Sequence, residues 1–496
     1  MGLESKTYPR WSAGWQVYDW PALSDHGRPP RVLGPGVSAV ECVRDWQFLR
    51  GLVTRDFGGG MKTIGIIVPP VPGHVMPSLA QADALRSEGC RVRYYQLGDL
   101  RDQIEEQGHE FCALGASRFQ PGMLAEMRSK IASMSGLRCV RASVELFRAT
   151  AEMFGDELPA ALAREPVDAL LIDQIEPAPA LIARALGIPY VSVANALPMD
   201  PDPWHPPATT PWLPGGGIGE LRNCLAHQML RVVFRPTYRL LRKLERRHGL
   251  PREPMIFPYL SEQAQINQLV EAFDFPRKHR PAHLHYLGAM RLRSYREIPF
   301  DFDRLDGRPL VYASLGTTVC RHLPLLRKIA EIARGRDVQL VLSLGGQATA
   351  AELGAVPENA LVVEFAPQPE LIGRADAVIT HAGQNTTMEA IAKGKPMVAV
   401  PISYEQPGIA ARIERAGIGL RCSRKASTAS IGQALDRVLS EPGFANSATQ
   451  LAKAGAAAGG AERAAEIVIS MLQTGCQPPR GRYSSAQTRP HTTGET

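Results

Sequence analysis

Polar residues that could bind an anionic group cluster in one short segment, His381-Ala-Gly-Gln-Asn-Thr-Thr-Met-Glu389. The segment follows the apolar run Ala377-Val-Ile-Thr380, which is typical of a buried strand, and it should open a helix. Unpaired backbone N–H groups and the helix dipole favour phosphate at such a helix start. Gly383 would let the backbone approach closely, and Asn385 and Thr386 could cap the helix or donate to phosphate. Plain N-capping without a bound anion is the alternative.

A candidate general base, His74, lies in the turn Pro72-Gly-His-Val-Met-Pro77. The histidine imidazole has a pKa of about 6.5, so its neutral form could take a proton from a hydroxyl group near physiological pH. Asp173 follows another apolar run, and its carboxylate could hold His74 in the required tautomer and stabilise the imidazolium. Glu176 lies in the same loop and competes for that role. The alternative is a helix-start turn in which His74 merely packs.

Both groups of residues need a framework of strands whose carboxyl ends meet. Between Met61 and about Ala194 the sequence predicts strands at 63–68, 91–96, 169–172 and 189–194, with helices at 76–88, 143–164 and 177–186. A second series predicts strands at 310–314, 338–343, 360–364, 377–380 and 397–400, with helices at 323–333, 385–393, 406–416, 428–440 and 460–473. This alternation predicts an α/β protein with two tandem parallel sheets, and ligands bind at the carboxyl edge of such sheets.

The domain organisation follows from these two series. Residues 61–290 should form the first domain and residues 300–473 the second. Residues 1–60 hold four of the six tryptophans and little periodicity, so we interpret them as an N-terminal appendage of uncertain reality. Residues 474–496 are polar and rich in Pro, Ser and Thr, which predicts a disordered tail.

Three segments carry a resemblance to a known family. They are Phe365-Ala-Pro-Gln368, the His381 to Glu389 segment, and Glu405-Gln406, each after a predicted strand. Together they resemble the donor signature of family 1 nucleotide-sugar glycosyltransferases. That family implies the GT-B fold, in which two Rossmann-like domains face each other across a cleft. The sequence lacks G-x-G-x-x-G after the first strand and G-x-x-x-x-G-K-[ST], which disfavours a nicotinamide dehydrogenase and a P-loop NTPase.

The resemblance also implies a role for individual residues. Phe365 would stack on the nucleobase, Gln368 would lie beside the base and ribose, and Glu389 would accept from ribose hydroxyls. Residues implied near the diphosphate are Ser314, Gly316, Thr317, His381, Gly383, Asn385 and Thr386. Glu405 and Gln406 would hold sugar hydroxyls.

The family further implies that His74 is the base and Asp173 its partner, with inversion at the anomeric carbon. It implies no catalytic metal and no cofactor besides the UDP-sugar co-substrate. Phe365 replaces the usual Trp, and Gln384 replaces the Trp of the plant-type motif. We expect UDP-glucose as the donor, and thymidine nucleotides and other hexoses stay open.

The acceptor prediction rests on a narrower resemblance. Segments beginning at Asp168, Val193, Gln265, Asp274 and Ala313 are similar to bacterial zeaxanthin glucosyltransferases of carotenoid pathways. The similarity implies transfer to the hydroxyl of a xanthophyll such as zeaxanthin. Another hydrophobic acceptor, such as a sterol, macrolide or flavonoid, is the alternative. A nucleotide-sugar epimerase and a non-catalytic lipid- or nucleotide-binding protein are more distant ones.

Charge and composition bear on location and partners. The stretch from Leu221 to Leu250 holds eight basic residues and one acid, with apolar residues at roughly helical spacing and Pro236 inside. This predicts a basic amphipathic helix, kinked or divided at Pro236, that could lie on an anionic membrane; a solvated face packed on the domain is the alternative.

The net charge of +7 over 496 residues is too dilute to indicate nucleic-acid binding. The eight cysteines are scattered without a C-x-x-C pair, and no apolar stretch approaches the roughly 20 residues of a membrane span. We therefore expect a cytoplasmic protein that could contact the inner face of the membrane peripherally.

Overall fold

The computed structural model of the chain describes residues 60–132, 137–199, 202–252, 259–278, 280–292, 298–316, 322–346 and 348–474. The predicted appendage up to residue 59, the predicted tail from residue 475 and Thr317 lie outside these described residues.

The first sheet is built from near-continuous apolar runs. Its strands are β1 (Thr63–Ile67), β2 (Arg91–Leu97), β3 (Glu110–Leu114), β4 (Ala169–Asp173), β5 (Tyr190–Ala194), β6 (Gln265–Asn267) and β7 (Leu284–Tyr286). They pair in parallel in the order β3-β2-β1-β4-β5-β6-β7. All residues of β4 and β5 are buried because helices cover both faces of the sheet.

Several helices of the first domain have a proline in their first turn. They are α1 (Pro72–Ser87), α2 (Arg101–Glu105), α3 (Met123–Ala132), α4 (Leu137–Arg164), α5 (Pro177–Leu186), α6 (Ile218–Val233) and α7 (Arg235–Arg247). Proline lies in the first turn of α1, α5 and α7, where its missing N–H costs no hydrogen bond. α5 stops at Gly187, whose φ of 72° suits a helix C-terminus.

The second sheet repeats this architecture. Its strands are β8 (Leu310–Ser314), β9 (Gln339–Ser343), β10 (Ala360–Val363), β11 (Ala377–Thr380), β12 (Met397–Ala399) and β13 (Gly419–Arg421), in the parallel order β10-β9-β8-β11-β12-β13. The helices are α8 (Leu323–Glu331), α9 (Ala350–Leu353), α10 (Gln368–Arg374), α11 (Gln384–Ala392), α12 (Gln406–Arg415), α13 (Thr428–Ser440), α14 (Pro442–Ala457) and α15 (Gly460–Gln473). The predicted fold class, α/β with two parallel sheets, is confirmed.

The strands that the sequence analysis missed are β3, β6, β7 and β13. Three of them have only three residues, too short to show periodicity. β3 lies at the edge of its sheet, and only two of its five residues are buried.

The last helix, α15, packs onto α1 of the first sheet. Its Ala464, Val468 and Leu472 are buried in the same apolar cluster as Leu79 and Leu85 of α1. All of residues 300–473 are predicted to lie in the second domain, and within that range α15 packs on the first domain. Helical periodicity identifies an apolar face but not the surface that covers it.

The basic segment forms two helices, α6 and α7, divided at Phe234 with Pro236 in the first turn of α7. In α7, Leu241 and Leu244 are buried in the core of the first domain, so the predicted alternative of a packed helix with a solvated basic face describes α7. α6 differs because it leaves large apolar side chains in solvent, namely Ile218, Leu221, Leu225, Met229, Val232 and Val233. None of the helices in the described ranges combines the length and the hydrophobicity that a membrane-spanning helix needs.

A buried ion pair joins the two domains beside α12. Arg412 Nε donates to Asp274 Oδ1 at 2.8 Å, and the Tyr286 hydroxyl donates to Asp274 Oδ2 at 2.6 Å. Burial alone would raise the pKa of Asp274, but Arg412, Arg277 and His205, together with the Tyr286 hydrogen bond, lower it to about 2. The pair is therefore ionised at neutral pH, and it fixes α12 relative to the first domain.

Candidate active site

His74 and Asp173 meet at the carboxyl edge of the first sheet. β1 and β4 are parallel neighbours; His74 lies in the first turn of α1 after β1, and Asp173 is the last residue of β4. Nδ1 of His74 is 2.7 Å from Oδ2 of Asp173. Because an ionised carboxylate can only accept, Nδ1 carries the proton and Nε2 is the basic nitrogen.

The Asp173 carboxylate is fully buried and is held by several donors. Besides His74, Asn195 Nδ2 donates to Oδ2 at 2.9 Å, and the Ile175 N–H donates to Oδ1 at 3.1 Å. A buried carboxylate needs such donors to remain charged. The arrangement can orient an imidazole base and stabilise the imidazolium formed when that base takes a proton.

The pKa of His74 reflects opposing effects. Burial lowers it, but the charge of Asp173, the hydrogen bond to Asp173 and the charge of Glu405 together outweigh burial and raise the pKa of His74. A higher pKa makes the neutral imidazole a stronger proton acceptor. Glu405 of the second domain is therefore within electrostatic reach of the imidazole.

Glu176 does not take the orienting role that the sequence left open to it. Its side chain is 1% exposed, and its Oε1 has no hydrogen-bond partner among the described residues. Burial, with the charge of Asp173, raises the pKa of Glu176 well above its ordinary value. The structure thus pairs His74 with Asp173, and burial favours the protonated form of Glu176 beside them.

The strand, turn and helix predicted around residues 377–392 are present. β11 ends at Thr380, Gly383 is the N-cap of α11, and Asn385 and Thr386 lie in its first turn. Ala382 between them has a φ of 62°, an unfavourable conformation for a residue with a side chain. Such strain is tolerated where the surrounding structure demands one backbone path, as at a binding loop.

The His381 ring packs against two glycines. A Cβ atom on Gly316 would lie 2.7 Å from Cε1 of His381, and one on Gly383 would lie 2.5 Å from the same carbon, so neither position has room for a side chain. Burial lowers the pKa of His381 to about 4, against the opposing effect of a hydrogen bond to the Ser314 backbone. The imidazole is therefore neutral near pH 7, and it would bring no positive charge to a ligand.

The loop after β8 contributes the remaining residues predicted near the diphosphate. Ser314 Oγ accepts a hydrogen bond from the Gly316 N–H at 3.2 Å, which closes this turn beside His381. Thr317, the third predicted residue of the loop, is not among the described residues. Within the described ranges, His, Cys, Asp and Glu side chains form no group of three or more that could hold a metal ion.

Phe365 and Gln368 follow β10, and Glu389 lies in α11, which follows β11. The Phe365 ring is 53% exposed, and it lies against Gly346, where a Cβ would be 2.7 Å from the ring. Gln368 Nε2 donates to Glu389 Oε2 at 2.8 Å, and the Tyr312 hydroxyl donates to Gln368 Oε1 at 3.2 Å. Burial raises the pKa of Glu389, whose Oε1 is buried without a hydrogen-bond partner among the described residues.

Glu405 and Gln406 lie at the start of α12. Gln406 is buried, and its Oε1 accepts the backbone N–H groups of Ile402 at 2.8 Å and Ser403 at 2.9 Å. Burial raises the pKa of Glu405, and the nearby His74 opposes this rise. Tyr404 has a φ of 53°, so the approach to this helix is also strained.

Two polar residues of the site were missed by the sequence analysis, Asn195 directly after β5 and Gln268 directly after β6. Gln268 Nε2 donates to the Asn195 carbonyl at 2.9 Å and to Asn385 Oδ1 at 3.0 Å. Asn385 Nδ2 in turn donates to the Gly73 carbonyl at 3.0 Å. Asn195 follows a predicted strand, but a polar residue at a strand end is too common to mark a site. Gln268 had no such signal, because β6 is too short to be predicted from the sequence.

A family model and two similar proteins point to the same family. The family model described as UDP-glucoronosyl and UDP-glucosyl transferase matches residues 239–455. A protein named zeaxanthin glucosyltransferase from Pantoea ananas is 32% identical over 419 residues, which cover 84% of this chain and 97% of that protein. A protein of the same name from Pseudescherichia vulneris is 31% identical, covering 82% of this chain and 97% of that protein.

Solved structures agree on the fold. The glycotransferase of kitacinnamycin superimposes with a TM-score of 0.66 at 23% identity, covering 83% of this chain and 99% of the other. The similarity shows the shared GT-B architecture of two parallel-sheet domains.

The pairing of His74 with Asp173 makes a measurable prediction. The Asp173→Asn substitution removes two of the three effects that raise the pKa of His74, and burial, the largest effect, stays. An NMR titration of the His74 ring should therefore give a pKa above the ordinary value in the wild type and below it in Asp173→Asn. The His74→Gln variant would assign the resonance.

Glu176→Gln is the matched control. Glu176 is not among the groups that shift the pKa of His74, so its amide replacement should leave that pKa nearly unchanged. A pKa that is unmoved in Asp173→Asn, or that falls equally in Glu176→Gln, would contradict the assignment of Asp173 as the orienting residue.

Proposed function

The chain belongs to the UDP-glucoronosyl and UDP-glucosyl transferase family, and from this premise we propose that it moves glucose from UDP-glucose to a hydroxyl group of a lipophilic acceptor. We propose a xanthophyll such as zeaxanthin as that acceptor, because the relatives at 32% and 31% identity carry the name zeaxanthin glucosyltransferase. A sterol, a macrolide or a flavonoid is the second candidate, and a nucleotide-sugar epimerase is a more distant one.

A hydrogen bond between the two domains brings the proposed base close to the proposed diphosphate site. The amide of Asn385, in the first turn of α11, donates to the carbonyl of Gly73, the residue before His74. The proposed base and the helix start proposed to hold the diphosphate are therefore adjacent. A reaction that needs a base on one reactant and an anion site for the leaving group of the other requires this adjacency.

The proposed reaction is a single displacement. His74 Nε2 takes the proton of the acceptor hydroxyl, whose oxygen forms a bond to the anomeric carbon as the bond from that carbon to the diphosphate oxygen breaks. Asp173 stabilises the imidazolium, and the nucleoside diphosphate leaves with the electron pair. Attack from the side opposite the leaving group inverts the anomeric centre.

The donor is proposed to lie along the carboxyl edge of the second sheet. The exposed Phe365 ring suits stacking with a nucleobase, and the partly satisfied Glu389 carboxyl suits ribose hydroxyls. Backbone N–H groups of α11, with His381, Gly383, Thr386, Ser314 and Gly316, suit the diphosphate. Glu405 and Gln406 are proposed to contact sugar hydroxyls, and we propose that no metal or further cofactor takes part.

We propose that α6 brings the enzyme to its acceptor at the cytoplasmic face of an anionic membrane. Ile218, Leu221, Leu225 and Met229 recur every three or four residues, so they form one apolar stripe, and they are 59–87% exposed. Exposed basic residues follow at once in α7, among them Arg235. An apolar stripe with adjacent cations is the pattern that favours the interface of an anionic bilayer, where a lipophilic acceptor would also be concentrated.

The transfer reaction can be tested with radiolabelled UDP-glucose and a panel of zeaxanthin, a sterol, a flavonol and a macrolide aglycone. We expect label in the zeaxanthin product, unchanged by a metal chelator, and a loss of roughly 100-fold or more in His74→Ala because the general base is removed. Label only in another alcohol would remove the carotenoid assignment. Hexose interconversion without transfer would favour the epimerase.

The membrane contact can be tested by co-sedimentation with phosphatidylglycerol vesicles. Replacing Leu225 and Met229 by Ser should reduce the bound fraction severalfold, since two exposed apolar side chains would be lost from the stripe. Met61→Ser, which removes an equally exposed apolar residue outside α6, is the control and should bind as the wild type does. Undiminished binding of the double variant would exclude α6 as the contact.

A further inference from the structure

Hydrogen bonds link His74, the candidate base, and α11, the helix proposed to bind the diphosphate of the sugar donor, into a closed circuit across the cleft. Below, α11 is called the donor helix. Asp173 binds His74 and accepts from Asn195, Gln268 donates to the Asn195 carbonyl and to Asn385 Oδ1, and Asn385 donates to the Gly73 carbonyl. The peptide bond from Gly73 to His74 completes it. We call these six residues, Gly73, His74, Asp173, Asn195, Gln268 and Asn385, the cross-cleft ring.

Gln268 is the member of the ring that contacts both domains through one atom. Its side chain is 2% exposed, and both hydrogens of its Nε2 are used, one toward the Asn195 carbonyl and one toward Asn385 Oδ1. The position is set by the sheet, because β5 and β6 are parallel neighbours and Asn195 and Gln268 are the first residues after them. A side chain without two N–H donors could not make both contacts.

Asn385 is tied to the first domain at both ends of its amide. Oδ1 accepts from Gln268 and Nδ2 donates to the Gly73 carbonyl. Through these hydrogen bonds its side chain holds the first turn of α11 in contact with the turn that contains His74. The family resemblance implies that Asn385 lies near the diphosphate, and in this structure both polar atoms of its side chain form hydrogen bonds with the first domain.

We propose that Gln268 is a positioning residue for glycosyl transfer. It couples the orientation of the His74 and Asp173 pair to the position of α11, the helix proposed to bind the diphosphate of the sugar donor. The inference rests on the proposed function. The acceptor oxygen, activated by His74, must reach a carbon whose leaving group is held by α11, and small errors in such geometry lower the rate strongly. Gln268 touches neither reactant; it acts through Asn195 and Asp173 on one side and through Asn385 on the other.

Gln268 is not needed at this position merely to hold the two domains together. The Asp274 to Arg412 ion pair already joins the domains at α12. The hydrogen bonds of Gln268, by contrast, end on the partner of Asp173 and on the donor helix. The proposal therefore predicts a defect in the rate of the chemical step and not merely in stability.

The test replaces Gln268 by Met, which keeps the length of the side chain and removes both donors. We expect kcat to fall about 10- to 100-fold while the KM for UDP-glucose changes less than about threefold, because the donor contacts stay and the alignment is lost. In an Asp173→Asn background the same substitution should have little further effect, since Gln268 then has no oriented base to position.

Gln265→Met is the matched control. Gln265 lies three residues earlier on β6, and its Nε2 donates to the Ser261 carbonyl and contacts His283, outside the cross-cleft ring. It should lower kcat less than about threefold. The proposal is overturned if Gln268→Met lowers kcat no more than this control does, or if it lowers the rate by the same factor in the Asp173→Asn background as in the wild type.

Hydrogen exchange tests the link made by Gln268 independently of whether the protein transfers a sugar. Gln268→Met should speed exchange of backbone amides on both sides of the cleft, in residues 72–78 and 384–390, and Gln265→Met should not. A wild-type protein that transfers sugar to no acceptor would refute the proposed function, and exchange would still decide whether Gln268 links the two sides. Unchanged exchange on either side would overturn the link itself.

Discussion

The buried carboxylate of Asp173 is the constraint on which the site depends. A fully buried charge is stable only when donors surround it, and three groups donate to this one: the His74 ring, the Asn195 amide and the Ile175 N–H. Each donor comes from a different part of the first sheet's carboxyl edge. Keeping Asp173 charged therefore also fixes the orientation of the imidazole and the position of the loop after β5.

The second domain offers a different electrostatic environment. His381 is held neutral by burial, and no cationic side chain is among the residues predicted to meet the diphosphate. Stabilisation of a leaving diphosphate would thus come mainly from backbone N–H groups and the dipole at the start of α11. Glycines at 316 and 383 make room for the His381 ring, and the strained backbone at Ala382 and Tyr404 shows that the same region is tightly constrained.

Much of this arrangement could be predicted from the sequence because it is local. The strand, turn and helix around His381 lie within one short segment, and the apolar runs before His74 and Asp173 predict that both residues reach the same sheet edge. Contacts between distant segments could not be predicted. Asn195 and Gln268 look like ordinary loop residues until β5 and β6 are known to be neighbours. The packing of α15 on α1 and the exposed apolar stripe of α6 likewise depend on which surfaces meet, and periodicity does not contain that information.

In the proposed mechanism, one base and one anion site, adjacent across the cleft, act in a single displacement. The stereochemistry of the product reports on that displacement. With UDP-α-glucose as donor, the anomeric proton of the purified glucoside should show the large NMR coupling of a β linkage, because one displacement inverts the centre. An α-linked product would require retention, and it would contradict the proposed roles of His74, Asp173 and the start of α11.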